Sequence, residues 1–187
     1  MSIRCFVAVE CGGDELAAKL REVRRVLEAA RTDIKFVEPE NVHLTLKFLG
    51  EIEQSLAEQV SQVVEGTSFQ PFTAKIEQVG VFPNLRRPRV VWAGITDGAS
   101  RLEEIWREID DKLNKLGFER ERRRFSPHIT IGRVRSGRNR DKLVHEISSL
   151  SDYVFGDIHV DRVALKKSVL TPRGPIYSTL AESHVDR

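Results

Sequence analysis

The sequence predicts an α+β fold with two antiparallel sheets around a central cleft and helices packed outside. Two observations lead there. First, segments of helical and strand periodicity interleave, yet many strand connections are too short for the crossovers that parallel pairing needs. Second, two short strands read almost alike. One is His43-Leu44-Thr45-Leu46-Lys47-Phe48-Leu49-Gly50, and the other is His128-Ile129-Thr130-Ile131-Gly132-Arg133. They lie 85 residues apart in a chain of 187, which points to two similar lobes, each giving one strand to a shared cleft. The length favours one domain spanning 1–187 with a sizeable core.

In chain order, residues 3–10 form an apolar, β-prone run. Gly12-Gly13-Asp14 breaks it, with Asp14 as the expected N-cap of a helix. Leu16, Leu20, Val23, Leu27 and Ala30 recur there at helical spacing. A short strand at 34–37 and a turn at 38–41 deliver the first His-x-Thr strand. A second amphipathic helix is expected over 51–66, and a strand over 72–82 with Gly80 as a candidate bulge. Arg86-Arg87-Pro88-Arg89 occupies a loop before a strand at 90–95. Ser100 and Glu103 fit a capping box opening a third helix, which Gly117 ends. An arginine-rich stretch leads through Phe125-Ser126-Pro127 to the second His-x-Thr strand. A fourth helix carrying Leu143, Val144, Ile147 and Leu150 follows, then three closing strands at 153–158, 162–170 and 176–181.

Composition narrows the function classes. Hydrophobic content of 40% and charged content of 31% describe a soluble globular chain. No run approaches the length of a membrane span, and the start of the chain lacks a signal peptide's apolar stretch. A cytoplasmic monomer is the expectation. The net charge of +2 is too small to argue for polyanion binding, but its distribution is uneven. Between Arg120 and Arg140 stand eight arginines against Glu121 alone. Such clusters are either solvated faces or guides for a phosphate backbone. Cys5 and Cys11 have no partners at zinc-site spacing, so no metal or other cofactor is expected.

Strand alternation sorts the motif residues by face. His43, Thr45 and Lys47 share one face, and Leu44, Leu46 and Phe48 the other, so Phe48 reads as core. His128 and Thr130 share a face opposite Ile129, Ile131 and Arg133. Two imidazoles and two hydroxyls around one space suit phosphodiester hydrolysis. One ring takes a proton from water, the other gives one to the leaving oxygen, and the hydroxyls donate to the phosphoryl oxygens. Phe36, Phe82 and Phe125 lie near strand ends, where a ring either stacks on a base or is buried. Trp92 and Trp106 belong to core patterns. His145, His159 and His184 lack a Thr partner and read as bystanders.

With its two His-x-Thr strands and its opening Arg4-Cys5-Phe6-Val7-Ala8-Val9, the chain resembles the two-histidine phosphoesterase superfamily. It is most similar to the bacterial and archaeal 2′-5′ RNA ligase-like RNA 2′,3′-cyclic phosphodiesterases. The resemblance implies a bilobal fold with a pseudo-two-fold axis and one motif per lobe. It implies metal-free opening of a 2′,3′-cyclic phosphate on RNA ends or nucleotides to a 2′-phosphate. By motif position, His43 is then the proton donor, His128 the proton acceptor, and Thr45 and Thr130 hold phosphoryl oxygens. Arg133 and Lys47 are candidate phosphate contacts, Arg133 only if its strand bends. The alternatives are reversible 2′-5′ ligation and a non-catalytic module that binds RNA ends.

Overall fold

The structure is a computed structural model that describes residues 2–184. Its elements are β1 (Ser2–Glu10), α1 (Asp14–Ala29), β2 (Ile34–Phe36), β3 (His43–Glu53), α2 (Gln54–Glu65), β4 (Phe72–Phe82), β5 (Val90–Ile95), α3 (Ala99–Lys115), β6 (His128–Val134), α4 (Arg140–Ser149), β7 (Val154–Val160), β8 (Ala164–Thr171) and β9 (Gly174–Glu182). A short 3₁₀ turn, Pro39–Asn41, precedes β3.

The α+β class holds, and every described strand pairing is antiparallel. The expectation of two sheets is corrected. The strands form one sheet in the order β7-β4-β5-β6-β3-β1-β8-β9, with β2 added against β6. The two histidine strands, β3 and β6, pair through a single residue pair, Leu44 with Ile129. β3 begins at His43, and β2, which precedes it in the chain, lies along the rest of β6, from Gly132 to Val134. Both histidine strands therefore lie at the seam of the sheet.

One contiguous core gathers the apolar stripes of all four helices, including Leu27, Val60, Ile109 and Leu143, against the inner faces of the strands. Leu44, Ile129 and Leu165 are fully buried in it. Removing apolar surface from water, worth about 25 cal/mol per Å², is what holds such a fold. Two expected caps are corrected. The residues before α1 and α3 are Gly13 and Gly98, both at positive φ, and neither helix has a side-chain cap. Asp14 and Ser100 are instead already helical or adjacent to the first helical residue, where acidic and polar side chains are still favourable. Gly117 ends α3 as expected: at φ 94 its N–H donates to the Asn114 carbonyl and Phe118 N–H donates to that of Leu113. The bulge in β4 falls at Gln78, not at Gly80.

Candidate active site

The seam register brings the four motif side chains together. With Leu44 opposite Ile129, His43 stands across from Thr130 and Thr45 across from His128, all on one face. The two histidines are diagonal neighbours, a relation that in ordinary antiparallel geometry spaces residues about 7–8 Å apart, with Cβ atoms somewhat closer. The two threonines hold the other diagonal. Both rings are half-buried. His43, Thr45, Thr130 and Arg133 line a cleft of about 730 Å³, whose far wall is the β8–β9 hairpin with Tyr177. His128 is not in that lining; its register puts it beside Thr45 at the cleft margin.

The two imidazoles are held in the same way. His43 Nδ1 is 2.7 Å from the Asn41 carbonyl, and His128 Nδ1 is 2.7 Å from the Ser126 carbonyl. A carbonyl can only accept, so each Nδ1 carries the proton and donates it. Each Nε2 is then left as the basic nitrogen when the ring is neutral. Aromatic rings brace both. Phe6 and Tyr177 pack on His43 at 4.8 and 5.3 Å between centroids, and Phe82 packs on His128 at 4.9 Å. Phe82 rests in turn on Trp92. Trp92 crosses over Gly80, where a Cβ would sit 2.3 Å from the indole and force it away. Trp92 is thus half-buried scaffold beneath His128 rather than deep core.

Burial pushes both imidazoles below their ordinary range, partly offset by the carbonyl bonds. Arg133 lowers both further, and Lys166 adds to the effect at His43. One guanidinium is therefore felt by both rings.

Each motif strand carries a bulge at the residue after its threonine, and this overturns three expectations. In β3 the pairing with β1 skips Leu46, and in β6 the pairing with β5 skips Ile131. A bulge inserts one residue and reverses the alternation beyond it. Arg133 consequently turns onto the histidine face and lines the cleft. Phe48, at the matching place in β3, is not core: it is 66% exposed and lines the same cleft. Lys47 swings the opposite way and does not line the cleft. Its ammonium pairs with Asp110 of α3, with both side chains under 10% exposed, and donates to the Glu119 carbonyl at 2.6 Å.

Of the aromatic candidates, Phe36 lines the cleft beneath the Arg24 guanidinium. Phe125 stacks on Trp106, packs against the core and does not line the cleft. His145, His159 and His184 are exposed and line no part of the cleft. Sequence reasoning missed Phe6, Phe48 and Tyr177. A signal existed for Phe48, since it and Arg133 stand the same distance after their histidines. Cys5 and Cys11 are free thiols raised by burial, Cys11 to about 12. Among the described residues no three His, Cys, Asp or Glu side chains come together to hold a metal ion. No described helix is long and apolar enough to cross a membrane.

Comparison with known proteins agrees with this architecture. The chain is 40% identical over 182 residues to an RNA 2′,3′-cyclic phosphodiesterase of Methanothermobacter thermautotrophicus, covering 96% of this chain and 97% of that one. It is 42% identical over 182 residues to a protein of the same name from Methanocaldococcus jannaschii, covering 96% and 99%. Among solved structures, TT0787 of Thermus thermophilus superposes with a TM-score of 0.78 at 27% identity, covering 96% of each chain. Escherichia coli LigT complexed with 3′-AMP superposes at 0.76 with 21% identity over the full length of both. A single family model, that of the LigT-like phosphoesterases, matches twice, over residues 12–92 and again over 95–177, so that each half contains one histidine strand. With both halves matched and close relatives aligned nearly end to end, the chain belongs to the LigT-like phosphoesterase family.

Proposed function

We propose that this protein is an RNA 2′,3′-cyclic phosphodiesterase acting through His43 and His128. The whole chain, residues 1–187, works as one bilobal domain with an approximate two-fold axis through the Leu44–Ile129 pair. The observation that carries the reading is the diagonal placement of the two histidines, each with its Nδ1 tied to a carbonyl. A phosphate between them has an Nε2 available on each side, as in-line displacement requires.

In the proposed step, water attacks phosphorus and gives its proton to neutral His128. The P–O3′ bond breaks, and protonated His43 delivers its proton to O3′. The products are a 2′-phosphomonoester and a 3′-hydroxyl. Thr45 and Thr130 donate to the non-bridging oxygens as charge builds on them. Arg133 supplies a fixed positive charge that matches the diester's single negative one. Phe48 and Tyr177 offer ring faces to the terminal base. The names of the aligned relatives support the substrate class.

The test is a defined oligoribonucleotide ending in a 2′,3′-cyclic phosphate, with His43→Ala and His128→Ala as controls. Release of a 2′-phosphate, abolished in both variants, is the expected result. A 3′-phosphate would reverse the leaving oxygen. Joining to a 5′-hydroxyl strand would favour 2′-5′ ligation. Tight binding without turnover would leave a module that only holds RNA ends.

A further inference from the structure

A second cavity, of about 720 Å³, lies between the Arg86–Arg89 loop and the first turn of α4. Its walls carry Arg86, Arg87, Arg89, Arg135, Arg140 and Lys142. Among the described residues the one carboxylate in its lining, Asp141, is already engaged by Arg140 at 3.0 Å. Among the same residues none of Arg86, Arg87, Arg89, Arg135 or Lys142 has an acidic partner. Six cations converging on one groove repel one another unless an anion lies between them.

Hydrogen bonds hold the walls of the groove together. Arg140 Nη1 donates to the Arg86 carbonyl at 3.4 Å and ties the two walls together. Asn84 Oδ1 accepts from the backbone N–H groups of Arg86 and Arg87 at 3.0 and 3.1 Å, shaping the loop. Val134 N–H donates to the Arg89 carbonyl, and Arg135 N–H to that of Asp33. The N-terminus of α4 adds the positive end of the helix dipole.

The groove lies near the cleft. Thr130 and Arg133 line the cleft, while Val134, the last residue of β6, and Arg135 just after it line the groove. At about 3.3 Å per residue, Val134 lies roughly 13 Å along the strand from Thr130. That is the distance of a few nucleotides, not of the terminal one. Among the described residues no aromatic side chain lines the groove, so it offers charge for phosphates and no ring for bases.

We propose that this groove is a second binding site, which holds the phosphodiester backbone of the RNA strand upstream of the reacting end. It binds by charge and without reading sequence. The proposal rests on the cyclic phosphodiesterase reading, and the test keeps the two apart.

Turnover of a 2′,3′-cyclic mononucleotide and of a short oligoribonucleotide with the same cyclic end is measured across salt concentrations. The wild-type chain is compared with Arg87→Glu/Arg135→Glu. The double variant is expected to leave mononucleotide turnover unchanged, which also shows that it folds. It raises the oligomer's KM roughly ten-fold or more. It flattens the salt dependence of oligomer kcat/KM by about 1.4 in log–log slope, at about 0.7 for each single-strand phosphate that is no longer neutralised. Fluorescence anisotropy of a labelled oligomer with a 2′-phosphate end gives a reading independent of turnover. Unchanged oligomer KM, slope and affinity in the variant would overturn the site and leave the groove to an acidic protein surface. A wild-type chain inert on both substrates would overturn the catalytic reading, and the anisotropy comparison would still decide the groove.

Discussion

Replacing Lys47 by Met separates two roles that sequence position alone cannot. The residue lies two places after Thr45, where alternation would aim it at the phosphate. In the folded chain it is buried against Asp110 and the Glu119 carbonyl. Lys47→Met fills much of the same space but leaves the Asp110 carboxylate without its cation at 7% side-chain exposure. Breaking a buried pair from one side costs about 3–5 kcal/mol. For 187 residues, the entropy of unfolding at about 2.1 cal/mol/K per residue is about 0.4 kcal/mol/K. The expected fall in Tm is therefore about 8–13 °C, followed by circular dichroism. Lys47→Met/Asp110→Leu removes both charges and is expected to recover most of that loss. Below the transition, KM for a cyclic nucleotide should match wild type in both variants. A Lys47→Met chain that melts normally but binds substrate weakly would refute the bulge-driven reversal of this strand.

The other predictions concern the site itself. His43→Ala and His128→Ala each lower kcat by about 10²- to 10⁴-fold with little change in KM, measured on a 2′,3′-cyclic nucleotide. The free-enzyme kcat/KM profile is bell-shaped, with its maximum on the acid side of about 6.5, because burial and Arg133 both favour the neutral rings. Arg133→Met removes a cation from beside both imidazoles, so both titrate at higher pH and the profile moves alkaline; NMR titration of the rings checks the direction. Phe48→Ala loses a stacking face worth about 1–3 kcal/mol per base, seen as a rise in KM with kcat retained. Turnover persists in EDTA; loss that a divalent ion restores would count against the proton-transfer scheme.

The residues proposed for the site were legible before the fold was known because each motif repeats a rare combination. A lone strand histidine says little, but two with threonine at the same offset constrain each other. Their faces were legible only as far as the threonines. Leu46 and Ile131 look like ordinary strand residues, and their apolar character gives no sign that the neighbouring strand skips them. Arg133, Phe48 and Lys47 were misplaced for that one reason. The single sheet was hidden for a related reason: its continuity depends on one pair, Leu44 with Ile129, and no local pattern specifies a one-residue bridge. The helix starts drifted because Asp14 and Ser100 have good capping chemistry, while the positive φ of Gly13 and Gly98 sets the chain's entry into each helix. The basic groove joins residues about fifty apart in sequence, so neither arginine cluster announces it alone.

The two bulges also explain how a duplicated frame yields an unequal site. Two residues beyond each threonine, the chain turns a side chain away from the cleft. In β3 that residue is Lys47, which finds α3 and Asp110. In β6 it is Gly132, over which β2 runs so closely that a Cβ would sit 2.7 Å from Ile34 and 3.1 Å from the Lys35 carbonyl. One residue further on, both chains face the cleft, with Phe48 in one half and Arg133 in the other. In the proposed mechanism the matching positions hold the acid–base pair and the two hydroxyls, used on opposite sides of one phosphorus. The position that differs puts a ring into the cleft from one half and a charge from the other. A cyclic diester carries one negative charge, which a single guanidinium balances. The monoester product carries about −1.5 to −2, so the same site holds it with charge left over. Arginine at both positions would remove that imbalance and favour retention of product over release.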